Sequence, residues 1–339
     1  MKNDVNRQFR LKTRPTGRIE KSNFDFVEQP IPEPGPGEAL VRVLYLSLDP
    51  TNRIWMSDMD QYMPPVAIGE VMRGGGVGVV VKSNSARYKE GDRVSGLTGW
   101  QDYCIADEGM RAMSVLPKDL PVDLPVMLGA CGMTGLTAYF GLLELGRPKP
   151  GETVVVSAAA GAVGSVVGQI ARIKGCRAVG IAGGSEKCRH LIEDLGFDAA
   201  VDYKRDDWRE QLAAATPDGI DVNFENVGGE IMEAVMARMN LFSRMPLCGM
   251  ISGYNSGEPM RADYSPILMR RIEIRGFIVI DFMEKFAEGA MQLAQWVVEG
   301  KLKHRETIVE GLENAPVAVN RLFDGQNIGK LVVKVGEMV

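Results

Sequence analysis

The sequence predicts an α/β fold class: a doubly wound parallel sheet joined to a β-rich portion. Three observations predict it. From about Phe9 to Cys104 the apolar runs are short, such as Ala39 to Leu46 and Val77 to Val81, and are punctuated by PEPGPGE and RGGGVG. From about Val126 to Leu302 strand-like runs alternate with helical periodicity, as in a parallel sheet with crossover helices. The third is one segment, Thr153 to Lys174, whose TVVVS-AAAGAVG-SVVGQIARIK reads as strand, glycine-bearing turn and helix.

Taken in order, the strand candidates of the α/β portion are Thr153 to Ser157, Ala178 to Ala182, Ala199 to Val201, Asp221 to Glu225, Leu247 to Ser252 and Ile274 to Ile280. Pro246 falls just ahead of the fifth, where a missing N–H weakens a ladder. Cys188, Leu191, Ile192 and Leu195 mark a helix that Gly196 stops; Phe286, Ala290, Leu293, Trp296 and Val297 mark another that Gly300 stops. Gly329 to Val335 reads as a strand returning to the first domain. The expected boundaries are therefore residues 1–128 and 303–339 for the β-rich domain and 129–302 for the α/β domain.

The Thr153 to Lys174 segment resembles a dinucleotide-binding turn. The three positions of a G-x-G-x-x-G pattern fall on Ala159, Gly161 and Gly164, so the first glycine is replaced by alanine. Gly161 lets the backbone approach a pyrophosphate, Gly164 lets the helix pack closely on the strand, and the amides along Gly161, Ala162, Val163 and Gly164 face the phosphates. Val154 to Val156 before the turn, and Val163, Val166, Val167 and Ile170 after it, supply the strand and helix context.

The next strand tip selects the dinucleotide. An NAD site places an Asp or Glu roughly 20 residues beyond the turn, to bind ribose hydroxyls. This chain has Gly183, Gly184 and Ser185, then Glu186 and Lys187. Small residues leave space for a 2′-phosphate and Lys187 supplies a cation, so NADP (NADPH) is the expected cofactor.

Composition excludes several other classes. With 339 residues, 45% hydrophobic and 24% charged, the chain has the profile of an ordinary globular protein long enough for two domains. A net charge of -5 gives no general field for nucleic acid or an anionic membrane. Five scattered cysteines show no disulfide framework and indicate a reducing compartment. The N-terminus MKNDVNRQFRLKTRP lacks an apolar core, and no run approaches about 18 apolar residues, so a cytoplasmic location without membrane contact is expected.

Nearly the whole chain resembles the medium-chain dehydrogenase/reductase superfamily, and within it the zinc-independent prostaglandin reductase and alkenal double-bond reductase family. The stretches that carry the resemblance are LSLDP at Leu46, CGMTGLTAY at Cys131, AAAGAVGSVVGQIAR at Ala158, LGFDAAVDYK at Leu195, ENVGGE at Glu225, CGMISGYN at Cys248 and NIGK at Asn327. The family implies a partly open, GroES-like β-barrel, a Rossmann domain, an active-site cleft between them and a homodimer built through the nucleotide-binding domains. It also implies cofactor contacts from Tyr203, Asn226, Cys248, Ser252, Tyr254 and Asn327. Phe277, Ile278 and Val279 would pass the nicotinamide by their backbone, and Met133 and Thr134 would line its pocket. Several have bland rivals: Tyr203 as a surface tyrosine, Asn226 and Asn327 as turn residues, Phe277 to Val279 as a buried strand, Met133 and Thr134 as a helix start. Tyr254 is the expected catalytic donor, because a neutral phenol can hydrogen-bond an enolate as it forms.

Metal chemistry is not expected. A catalytic zinc needs Cys and His ligands early in such a chain, yet no histidine precedes His190 and only Cys104 lies in that region. What the resemblance then implies is NADPH-dependent reduction of the carbon–carbon double bond of α,β-unsaturated aldehydes or ketones, with the developing oxygen charge met by hydrogen bonds. Quinone reduction and non-catalytic NADPH binding are the alternatives. One departure bears on substrate: relatives read D-P-Y-M-R where this chain has Asp49-Pro50-Thr51-Asn52-Arg53, so the aromatic wall is missing. Arg53 either attracts a carboxylate or orders its loop, and Trp55, Met56, Met59, Tyr62 and Met63 either rim the cleft or pack the barrel.

Overall fold

The structure, a computed structural model, describes residues 5–256 and 261–337. The chain divides into two compact units. One holds the described residues up to Leu128, Glu306–Gln326 and those from Leu331 onward; the other holds Gly129–Arg305 and Asn327–Lys330.

The β-rich unit is built on a seven-stranded sheet in the order Glu306–Glu310, Lys330–Lys334, Ala39–Ser47, Gly75–Ser83, Arg93–Leu97 and Ser114–Val115, with Tyr103–Ala106 also paired to Ala39–Ser47. The return strand pairs antiparallel with the third, Val332 opposite Ser47. A two-stranded ribbon, Val5–Leu11 with Phe24–Pro30, brings Phe9 and Phe24 against Trp100 at ring distances of 6.3 and 5.4 Å. The RGGGVG stretch does not break the chain here: Gly75 to Gly78 open a strand. A Cβ at Gly76 would meet Thr98 Oγ1 at 2.4 Å and one at Gly78 the Arg42 carbonyl oxygen at 2.4 Å, so these glycines serve close packing of neighbouring chain.

In the α/β unit, β1 (Thr153–Val156), β2 (Arg177–Ala182), β3 (Ala199–Asp202), β4 (Ile220–Phe224), β5 (Met239–Leu247) and β6 (Glu273–Gly276) form a six-stranded sheet. Every neighbouring pair is parallel, and the spatial order is β3-β2-β1-β4-β5-β6. That order reverses direction between β1 and β4, where open parallel sheets bind ligands at their carboxyl ends. β1 is buried throughout, as the Val154 to Val156 run requires. Its helices include α1 (Met133–Phe140), α2 (Gly164–Ile173), α3 (Ser185–Arg189), α4 (Trp208–Ala215), α5 (Gly229–Met236), α6 (Ser265–Arg270) and α7 (Phe286–Val298). Gly196 and Gly300 follow their helices in the left-handed region, at φ of 74° and 68°.

Two expected strands are corrected. The fifth is Met239–Leu247, with Pro246 inside it, rather than Leu247 to Ser252. The residues after Leu247 bend because their amides go elsewhere: Cys248 and Gly249 donate to the Glu225 carbonyl, Ile251 to that of Asn226, and Ser252 to that of Val227. The sixth ends at Gly276, short of Ile280, because a 3-10 turn, Val279–Lys285, begins where Asp281 accepts the Ile278 amide at 3.1 Å.

Candidate functional site

The turn after β1 is set by steric fit. Ala158 takes a left-handed φ of 50°, and the Gly161 amide closes back on the Ala158 carbonyl at 3.0 Å. A Cβ at Gly164 would lie 2.5 Å from the Ala158 oxygen and 2.8 Å from the Ala159 Cα, so α2 can start here only with glycine. Ala159, in place of the first motif glycine, is fully buried. Its methyl fits because β2 carries Gly180 opposite, where a Cβ would approach it to 2.8 Å. The alanine-for-glycine change is thus matched by a glycine on the neighbouring strand. Gly161, Ala162 and Val163 stay partly exposed ahead of the helix, with the first-turn amides available to an anion.

The segment of Asn327 braces this turn. Gly329 donates to the Ala160 carbonyl at 2.8 Å and bridges Gly161, while Asn327 Nδ2 donates to the Gly329 carbonyl at 3.0 Å. Asn327 therefore fixes the strap beside the turn with its own side chain.

β2 ends at Ala182 and is followed by Gly183, Gly184 and Ser185, so no acid stands at its tip. Tyr203 lies over Gly183, where a Cβ would sit 2.9 Å from the ring, and its amide donates to the Ala182 carbonyl at 3.1 Å. Lys187, on α3, is half-buried. Its pKa is drawn below the ordinary lysine value, first by desolvation and next by the charge of Lys204, against a weaker opposing pull from Glu186. This corner fits the phosphorylated dinucleotide: it offers cationic charge, and β2 itself ends without an acid.

Buried Glu225 joins the ends of β1 and β4 by its carboxyl group and reaches β5 by its backbone, its amide donating to the Pro246 carbonyl at 3.0 Å. Glu225 accepts from Ser157 Oγ at 2.9 Å, the Val227 amide at 2.7 Å, the Gly228 amide at 2.8 Å and Asn223 Nδ2 at 2.9 Å. Asn226 reaches the same serine, donating from its amide to Ser157 Oγ and from Nδ2 to the Ser157 carbonyl, each at 2.7 Å. The Cys248 to Tyr254 loop then folds over Asn226, with Ser252 Oγ donating to the Val227 carbonyl at 2.7 Å. Tyr254 Oη accepts the Met250 amide at 3.1 Å, which positions the phenol oxygen above Gly249. The partly exposed Cys248 has its thiol pushed up to about 12 by burial of the sulfur and then by Glu225, so it is no nucleophile at neutral pH.

Of the remaining residues, Phe277 is buried, its ring edge-on to Phe224 at 6.2 Å and against the backbone of Gly141. Phe277 and Val279 bury their side chains, whereas Ile278 stays partly exposed. Met133 and Thr134 open α1; Thr134 turns its hydroxyl to the Gly129 carbonyl at 3.0 Å, and Met133 is exposed. Ser157, Glu225, Gly329 and Lys204 were not singled out from the sequence. Glu225 sat in plain view in ENVGGE, but its partner Ser157 lies 68 residues away in the chain.

In the β-rich unit Arg53 orders its loop, donating to the carbonyls of Gly17 at 3.2 Å and Pro15 at 2.9 Å. Thr51 meets the hydroxyl of Tyr62 at 2.5 Å, whereas Trp55 and Met56 pack in the core.

Two family profiles match the chain: one described as the N-terminal domain of oxidoreductase over residues 7–115, and one described as zinc-binding dehydrogenase over residues 162–296. The NADPH-dependent curcumin reductase of Escherichia coli (strain K12) is 48% identical over 97% of both chains. The chain belongs to the zinc-independent medium-chain dehydrogenase/reductase family. Another member, the 2-alkenal reductase (NADP(+)-dependent) of Nicotiana tabacum, is 39% identical over 97% of both chains. A crystal structure of CurA in complex with NADPH from Vibrio vulnificus superposes with a TM-score of 0.93 at 46% identity, covering 98% of this chain and 100% of that one. Among the described residues no group of three or more His, Cys, Asp or Glu side chains is arranged to hold a metal ion, despite the second profile's description.

Proposed function

We propose that the chain is an NADPH-dependent reductase of the carbon–carbon double bond of α,β-unsaturated aldehydes and ketones. The observation that carries this reading is the β2 tip, where Lys187 stands without a strand-tip carboxylate, together with the Tyr254 phenol held at the β4 and β5 ends. NADPH supplies the hydride.

Ala162, Val163 and Gly164 hold the pyrophosphate by their amides, Gly161 leaves the room for its approach, and Asn327 braces the turn. Lys187 and Tyr203 hold the adenosine 2′-phosphate end. Asn226, Cys248 and Ser252 shape the floor beneath the nicotinamide ribose, and the backbone of Phe277, Ile278 and Val279, with Met133 and Thr134, borders the ring. Tyr254 donates a hydrogen bond to the substrate oxygen as hydride adds to the β-carbon and negative charge moves to that oxygen. A proton from water completes the α-carbon. The names of the curcumin and 2-alkenal reductases support this substrate class.

The test is NADPH consumption against enals, enones and quinones. Enals and enones should turn over fastest; faster quinone turnover, or none with any of the three, defeats the reading. The exposed Leu241, Phe242, Leu268 and Met269 near the β5 and β6 edge support a homodimer through the α/β unit, to be checked by light scattering. All five cysteines are free thiols, which supports a reducing, cytoplasmic setting. Among the described residues, no helix is long and apolar enough to cross a membrane.

A further inference from the structure

One carboxylate ties the tips of β2 and β3 together. Asp202, the last residue of β3, accepts the Gly184 amide at 2.7 Å and the Lys204 amide at 3.1 Å on the same oxygen, Oδ1. Gly184 begins the turn that carries Lys187, so the two lysine-bearing segments are pinned to one point. Between the anchors, Tyr203 is held to Ala182 by its amide and rests its ring on Gly183. The charge of Lys204 is felt at Lys187, and among the described residues neither ammonium closes an ion pair. Two like charges held together work against stability unless a third group binds them.

We propose that Lys204 is a second cation for the 2′-phosphate, and that Asp202 is the positioning residue that sets it beside Lys187. The inference rests on the NADPH reading and deepens it. It also reverses a simple expectation. An acid next to a phosphate site should repel the ligand, yet both donors on Oδ1 are backbone amides, so this acid builds the site.

The sign of one substitution tests the idea. The full-length protein is titrated calorimetrically with adenosine 2′,5′-bisphosphate, which carries the 2′-phosphate, and with adenosine 5′-monophosphate, which lacks it. Lys204→Ala should weaken the bisphosphate about fivefold and leave the monophosphate unchanged, and Lys204→Arg should restore binding to within about twofold. Asp202→Ala should also weaken the bisphosphate about fivefold although it removes a negative charge, whereas Asp202→Asn, which keeps the acceptor, should stay within about twofold. Tighter bisphosphate binding by Asp202→Ala, or no change in Lys204→Ala, overturns the proposal. If Asp202→Ala does not fold, the Asn variant and the Lys204 pair decide. Loss in Lys187→Ala but not in Lys204→Ala defeats this inference alone, while loss in neither defeats the phosphate reading beneath it.

Discussion

The turn from Ala158 to Gly164 and the loop from Cys248 to Tyr254 follow β1 and β5, on either side of β4, and are held by different means. Backbone contacts shape the first: Gly164 has no space for a Cβ, Ala159 fits against Gly180, and Gly329 bonds across to Ala160. A side-chain network centred on Glu225, Ser157 and Asn226 fixes the segment whose carbonyls then capture the amides of the second. A site made of close backbone approach fails when volume is added. A site made of a polar network fails when one acceptor is removed.

The sharpest way to break the first is Gly164→Val. Its side chain would collide with main-chain atoms of Ala158 and Ala159 that cannot swing aside, so a loss of about 3 kcal/mol in urea unfolding is expected. A variant as stable as the wild type would mean that the turn is not sterically fixed. Tyr254→Phe should lower kcat about a hundredfold, about 2.7 kcal/mol, with a small change in NADPH affinity. Equal falls in kcat and NADPH affinity would recast Tyr254 as a packing residue.

Glu225→Ala strands four buried or partly buried donors and should cost about 2 kcal/mol in stability. A neutral result would show that water replaces the carboxyl group. Lys187→Ala is expected to weaken NADPH about tenfold while barely changing NADH, and equal weakening of both would discard the phosphate assignment. The smallest effect is expected from exhaustive chelation, since both regions act through amides and side-chain hydrogen bonds. Activity measured before and after should agree, and a loss that added metal restores would contradict the zinc-free reading.

The turn could be read from the sequence because its requirements are local. Val154 to Val156, Gly161, Gly164 and the apolar face of α2 lie within one continuous segment, and each residue type has a steric reason to be there. The second region was readable only as a resemblance. Nothing local indicates that Glu225 meets Ser157, because the pair forms only when β4 lies beside β1. The same limit explains the fifth strand. The run after Pro246 suggests a strand from Leu247 to Ser252, but carbonyls of Glu225, Asn226 and Val227 capture those amides. RGGGVG was misread for a related reason, since a glycine that relieves crowding between strands looks the same in sequence as one that makes a turn.

By itself the sequence determined the α/β class, the glycine-bearing turn after β1, the absence of an acid at the β2 tip and the family. Periodicity, glycine placement and charge at a strand end act over a few residues, and the chain carries them whether folded or not. Tertiary structure alone decided that Gly180 makes room for Ala159, that Glu225 gathers three strand ends, and that Asp202 takes the Gly184 and Lys204 amides on one oxygen. These depend on distance between segments remote in the chain, and only the packed sheet sets that distance.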